Sequence, residues 1–174
     1  LETVLQAFAP WLASGEHPKA LQNAKYDRLI LLRHGLPLAG VVMDTLLADY
    51  LRDAAAKHGL DVMAQRDYGI SPTLFSDLVG KAKDGKASTF SEVPLEQAAQ
   101  YCGMDVHLTR KLAIDHNQQL KALGPQLPDL LSKVELPLEP VLAVMEATGI
   151  RIDVPYLEAL SSEIGSNLDR LETS

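Results

Sequence analysis

Few stretches of this chain can serve as strands, and that scarcity limits the fold more than any other feature. Lys19-Ala-Leu-Gln-Asn23 has room for a strand of four or five residues, and Gly40-Val-Val-Met43 reads as a second, buried one. Most of the remaining chain repeats apolar residues near the helical period of 3.6. Leu1, Leu5, Phe8, Ala9 and Leu12 form one such face, stopped by Gly15, and Tyr26, Leu29, Ile30 and Leu32 form the next, stopped by Gly35 and Pro37. Asp44 or Thr45 suits the cap of a third helix through Tyr50 and Leu51, and Asp61 suits the first turn of a fourth, on which Leu60, Ala64 and Tyr68 share a face. Residues 69–91 read as an exposed loop with one helical turn around Leu74 to Val79, least structured from Gly80 to Gly85. Pro94 then opens a long helical region, with Ser91 as cap candidate, apolar spacing through Leu112 and Leu120, and a bend expected at Gly103. Helix resumes from Leu127 to Met145 despite Pro137 and Pro140, Ile150-Arg-Ile152 is an extended link, and Val154 to Leu171 is a last helix. The pattern predicts a mainly helical α/β chain with an incomplete sheet.

Composition narrows the function. Hydrophobic residues at 47% and charged residues at 22% supply an ordinary globular core, and only 5% aromatics argues against a sandwich or barrel. The formal net charge of −7 excludes a broad counterion-releasing basic face, so any contact with nucleic acid must be local and metal-assisted. Cys102 is the sole thiol, which rules out a disulfide framework and a cysteine zinc cluster and fits a reducing compartment. Apolar runs such as Leu29 to Leu32 fall far short of the roughly 18 to 20 residues of a membrane span, and no export signal opens the chain. A chain that begins with Leu1, inside a helix, is expected to be a fragment.

The histidines at 17, 34, 58, 107 and 116 include no pair at i, i+3 or i, i+4, so a histidine metal site is not expected. The Gly-rich dinucleotide and phosphate-loop patterns and the nucleophile elbow are absent. Carboxylate chemistry remains. Asn23 precedes Asp27 by four residues, and Tyr101 precedes Asp105 by four. Four residues is about one helical turn, so Tyr101 and Asp105 address one small volume. Asp27 follows a strand at the start of a helix, where α/β folds commonly hold ligands.

In order and spacing these segments resemble the 3′-5′ exonuclease domain of family A DNA polymerases, the bacterial DNA polymerase I type. Gln22-Asn-Ala-Lys-Tyr-Asp27 is similar to that family's second exonuclease motif, and Tyr101-Cys-Gly-Met-Asp-Val-His-Leu-Thr109 to its third. Met43-Asp-Thr-Leu-Leu-Ala-Asp-Tyr50 and His58-Gly-Leu-Asp61 match scaffold stretches. Lys133 to Glu146 followed by Gly149-Ile-Arg-Ile-Asp153 resembles the passage into the polymerase thumb. The resemblance implies a partial ribonuclease H-like exonuclease domain over residues 1–124 and the start of a polymerase domain over 125–174. It also implies a bacterial-type cytoplasmic location, a single-stranded DNA 3′ end as substrate, and the remainder of a polymerase polypeptide as partner, with no membrane.

By the same resemblance Asp27 and Asp105 are ligands of Mg²⁺ or Mn²⁺ in a site of two ions, and Tyr101 orients the attacking water. Asn23 lies beside the terminal nucleotide, Phe75 stacks on frayed 3′ bases, and Arg66 contacts phosphate. Asp44 is assigned to capping, and Cys102 and His107 carry no role. The family's remaining two carboxylates come from an Asp-x-Glu, and none occurs in this chain. Little activity is therefore expected of the chain alone. Two other readings are a catalytically silent domain that supports a polymerase and an exoribonuclease of the ribonuclease D type, the latter disfavoured by the segment from Val134 to Asp153.

Overall fold

The structure is a computed structural model, and it describes residues 2–79 and 89–173. The stretch from Gly80 to Gly85, read above as least structured, lies outside the described residues. The chain divides into two compact units, residues 1–144 and 145–174.

The first unit opens with α1 (Glu2–Ala13), β1 (Lys19–Leu21), α2 (Ala24–Arg33), β2 (Val41–Asp44), α3 (Thr45–Arg52) and α4 (Leu60–Tyr68). Among the described residues the strands pair with each other alone, in parallel, with Ala20 opposite Met43 and Leu21 opposite Asp44. The two-stranded sheet thus forms where the two short apolar runs lie. Gly40 makes the approach to β2 feasible. Its φ is +70°, and an added Cβ would sit 2.6 Å from the His17 carbonyl oxygen, so a side chain there is excluded by both torsion and space. Lys19 is buried in β1 because its Nζ has partners: the carbonyls of Ser14 at 3.0 Å and His17 at 2.8 Å, and the Trp11 ring at 4.6 Å.

Beyond α5 (Phe75–Val79), a single 3₁₀ turn (Phe90–Glu92) leads into the 29-residue α6 (Leu95–Leu123). Thr89 caps this turn, closed reciprocally by Glu92, whereas α6 starts after Pro94 without a side-chain cap, so Ser91 does not cap it. α6 runs unbroken through Gly103 and buries Leu108, Leu112, His116 and Leu120, one residue per turn on one face. That face meets β1, α3 and α4, and Leu120 joins Met43, Ala48 and Leu131 in the core. α7 (Gln126–Leu130) continues through a wide π turn (Leu131–Glu135) into α8 (Leu136–Thr148). The turn widens just before Pro137 and Pro140, which have no N–H to donate to the carbonyls of Lys133 and Leu136.

Arg28 of α2 reaches Glu139 of α8 in a bidentate ion pair, Nε to Oε1 at 2.8 Å and a terminal nitrogen to Oε2 at 2.7 Å, and also donates to the Leu38 carbonyl. In the second unit α9 (Val154–Glu172) starts at Asp153, whose carboxylate accepts the Tyr156 N–H at 3.1 Å, with Pro155 in the first turn. No helix among the described residues is long and apolar enough to cross a membrane.

Candidate active site

Asp27 occupies the first turn of α2, one short bend after β1. The bend turns on Asn23, the one non-glycine residue with positive φ among those described (φ 60°, ψ 56°), a region that asparagine tolerates better than most residues. The carboxylate that fixes this bend comes from the end of β2. Asp44 Oδ1 accepts the Asn23 N–H at 3.0 Å and the Leu46 N–H at 2.9 Å, and Oδ2 accepts the Ala24 N–H at 2.7 Å. One side chain, 2% exposed, therefore caps both α2 and α3. Asp44 acts as a cap, as its position before an apolar helix suggests, and its second helix is the addition the structure makes. Burial pushes the Asp44 carboxyl above its ordinary value, outweighing these backbone donors. Asp27 is also raised, by burial first and by the charge of Asp44 second.

Tyr101 and Asp105 project from one face of α6 one turn apart. Burial raises Asp105 while the Tyr101 hydroxyl beside it pulls it down; Tyr101 is raised by burial and then by the neighbouring carboxylate. Asp27 and Asp105, from different elements, line one open cavity of about 1290 Å³, together with Lys19, Met43, Cys102 and Arg110. Tyr101 does not line it. Its place is a neighbouring cavity of about 450 Å³, where Asp77, Gln97 and Gln100 surround it and Asp105 forms part of the wall. Asp105 is thus shared by both spaces.

Phe75 begins α5 and meets the Tyr101 ring edge-on, centroids 6.4 Å apart. Phe90, which the sequence reading passed over, stacks on Phe75 at 5.9 Å and approaches Tyr101 at 6.2 Å. The Thr-x-x-Glu pattern around it was readable as a capped turn, but the partners of its ring were not.

Arg66 lines neither of these two cavities. Its guanidinium grips Asp49 (2.6 Å) and Asp67 (2.8 Å), and Arg52 and His58 join the same carboxylates. Burial alone would raise Asp49 and Asp67, but the arginines hold both below the ordinary range, with His58 also bonding Asp49. His116 completes the cluster, fully buried, with its Nε2 at 3.8 Å from Asp49 and 3.7 Å from Asp67 and with neither ring nitrogen hydrogen-bonded among the described residues. Ligand atoms of Asp49, Asp67 and His116 lie within 4.8 Å of one another, close enough to surround a cation. Two guanidinium groups already supply the positive charge, so the arrangement is an ion-pair network. Helical spacing gave no sign of it because its members come from α3, α4, α6 and the loop before α4.

A family model described as 3′-5′ exonuclease matches residues 1–121. DNA polymerase I of Synechocystis sp. is 42% identical over 164 residues, covering 94% of this chain and 16% of that protein. DNA polymerase I of Chloroflexus aurantiacus is 37% identical (95% of this chain, 17% of the relative), and that of Pseudomonas aeruginosa 36% (98% and 19%). Among solved structures, the POL domain of Pol1 from M. smegmatis, in complex with DNA primer-template and dNTP, superposes with a TM-score of 0.72 at 31% identity, covering 92% of this chain and 24% of that one. The chain belongs to the 3′-5′ exonuclease domain family of DNA polymerase I. It spans under a fifth of the length of these curated relatives.

Proposed function

We propose that this chain is the 3′-5′ proofreading exonuclease portion of a DNA polymerase I, removing nucleotides from single-stranded DNA 3′ ends, and that its sheet is part of a ribonuclease H-like fold. The observation that carries the reading is the convergence of Asp27 and Asp105, from α2 and α6, on one cavity, with Tyr101 one helical turn from Asp105. We place the exonuclease part at 1–124 and the start of the polymerase part at 125–174; the family match to residue 121 and the end of α6 at Leu123 support that boundary.

Exonucleases of this family generally use divalent metals. The donors fit: both carboxylates are hard oxygen ligands whose ionised forms are disfavoured by burial, a cost that a bound cation offsets. Asp27 and Asp105 would hold Mg²⁺ or Mn²⁺, which when bound supplies charge stabilisation at the scissile phosphate. Two further carboxylates, absent from this sequence, would complete a site for two ions. The Tyr101 hydroxyl, which shares a cavity with Asp105, orients the attacking water. Asn23, exposed at the turn before α2, lies beside the terminal nucleotide, and Phe75 offers its ring to an unpaired base. Asp49 and Asp67 engage four of the five N–H groups of Arg66, so a phosphate contact by Arg66 has one N–H to use.

The test is digestion of a 5′-labelled single strand with Mg²⁺. The 174 residues alone should give little product, and a longer natural polypeptide that includes an Asp-x-Glu strand should give a ladder. In that polypeptide Asp27→Ala and Asp105→Ala should each suppress digestion strongly, and Tyr101→Phe less, since the carboxylates remain. Vigorous digestion by the short chain, or indifference to Asp105→Ala, overturns the assignment. A second reading, a silent domain that supports a polymerase, is favoured by the missing Asp-x-Glu alone; it predicts no digestion from the longer polypeptide either.

A further inference from the structure

Three aromatic rings from three separate elements meet beside the candidate site. Phe75 and Phe90 lie nearly parallel, centroids 5.9 Å apart and planes inclined by 15°, and each meets Tyr101 at an angle, 61° at 6.4 Å and 58° at 6.2 Å. These are the offset and edge-on geometries that aromatic pairs favour. A flat base needs about 3.5 Å on each side, so it does not slip between two rings whose centroids are 5.9 Å apart. Phe90 therefore covers one side of Phe75, and what a base can reach is the ring's outer side. Phe75 remains 53% exposed.

The turn that carries Phe90 is not built to fill a core. It has three residues, none of them buried, yet it is closed by a reciprocal capping box between Thr89 and Glu92, and the Thr89 hydroxyl pairs with that of Ser91. Local order is thus invested in a segment whose one large apolar group rests on the two rings of the site. Phe90 is itself 36% exposed.

We infer that Phe90 is a positioning residue of the exonuclease site: its ring fixes Phe75 in the orientation that accepts an unpaired 3′ nucleobase and steadies the Tyr101 ring, one helical turn from Asp105. This rests on the exonuclease reading above. Phe90 lines neither cavity and acts through the other two rings.

The test uses a short single strand carrying 2-aminopurine at its 3′ end, titrated with the native polypeptide that carries these residues, in EDTA so that nothing is digested. Stacking of the terminal base quenches the fluorophore, a signature that a change in stability alone does not move. Phe90→Ala and Phe90→Leu should both weaken binding about 3- to 10-fold and reduce the quench at saturation. Phe90→Tyr, which keeps the ring, should restore both. Leucine retains apolar bulk without a ring face, so a Phe90→Leu protein that binds and quenches like wild type overturns the inference and leaves Phe90 a filler. A wild-type protein that binds the strand without quenching, or does not bind it, removes the exonuclease reading and this inference with it. Wild-type quenching with an indifferent Phe90→Leu removes this inference alone.

Discussion

Replacing Asp44 by alanine tests the joint on which the first unit turns. The carboxylate satisfies three N–H donors, those of Asn23, Ala24 and Leu46, at 2.7 to 3.0 Å. Loss of one helix cap costs about 1 kcal/mol, and here two helices lose theirs together. The Ala24 N–H is also left without a partner in a buried position, which adds about 1 to 3 kcal/mol. Against this, truncation relieves the burial of a carboxylate whose ionisation is already disfavoured. The balance is a loss of about 3 kcal/mol, or roughly 6 to 12 °C in melting temperature for a chain of this size. Asp44→Asn keeps one carbonyl oxygen, which can take the place of Oδ1 and accept from Asn23 and Leu46, but its NH2 group then faces the buried Ala24 N–H, so it should still lose about 2 kcal/mol. The sign with pH follows. Because the folded-state pKa is raised, the folded chain takes up this proton first, and Asp44 ionisation works against folding near neutrality. Acidification should therefore not abolish the wild-type advantage over Asp44→Ala through this group. Far-UV circular dichroism melts and urea titrations measure it. An Asp44→Ala protein that melts within about 2 °C of wild type refutes the double-cap argument.

Two further outcomes follow from the buried polar groups. His116 is held below its ordinary value, by burial first and then by the charge of Arg52, with Asp49 and Asp67 pulling the other way. The unfolded chain protonates near pH 6.5 while the folded one resists, so stability should fall as pH drops below about 6.5, and melts of His116→Gln between pH 8 and 5 should show a shallower decline; equal slopes count against a buried neutral imidazole. Glu139→Gln leaves the half-buried Arg28 guanidinium without its counter-charge and should cost about 2 kcal/mol. The paired change Arg28→Met with Glu139→Met should recover much of that in the same urea titration, and a single change worth under about 0.5 kcal/mol contradicts the pairing.

Much of the local structure was legible because its causes are local. The glycines at 35 and 69 stop α2 and α4 with positive φ, as a helix-ending glycine does, and the two short apolar runs become the two strands. Asp44 could be read as a cap for α3, since that rule needs only the next few residues. Its second role, at the start of α2, depends on β2 lying beside β1 and has no signature in sequence. The same holds for Arg28 with Glu139, 111 residues apart, and for the carboxylates of Asp49 and Asp67 meeting His116. Within the candidate site the spacing of Tyr101 and Asp105 was readable as one helical turn, and their shared cavity follows from it. That Tyr101 lines a different cavity from Asp27, with Asp105 between them, depends on where α6 crosses the sheet. Phe90 escaped because an aromatic residue after a polar stretch carries no periodicity to mark it.

The joint and the site share their electrostatics. The bend at Asn23 needs a buried acceptor for the N–H groups at the start of α2, and Asp44 meets that need with a full negative charge. That charge lies close enough to Asp27 to raise it further after burial has done so. A neutral cap such as serine could bond one of these donors without that consequence, but it offers one oxygen where three N–H groups converge. The geometry that orders α2 therefore also makes Asp27 a carboxylate whose ionised form is costly without a positive charge nearby. Lys19 and Arg110 line the same cavity, but Lys19 is already bonded to the carbonyls of Ser14 and His17. Positive charge brought to Asp27 from outside would be stabilised by Asp44 as well, although Asp44, with its oxygens committed to three backbone donors, would contribute through its field rather than by contact.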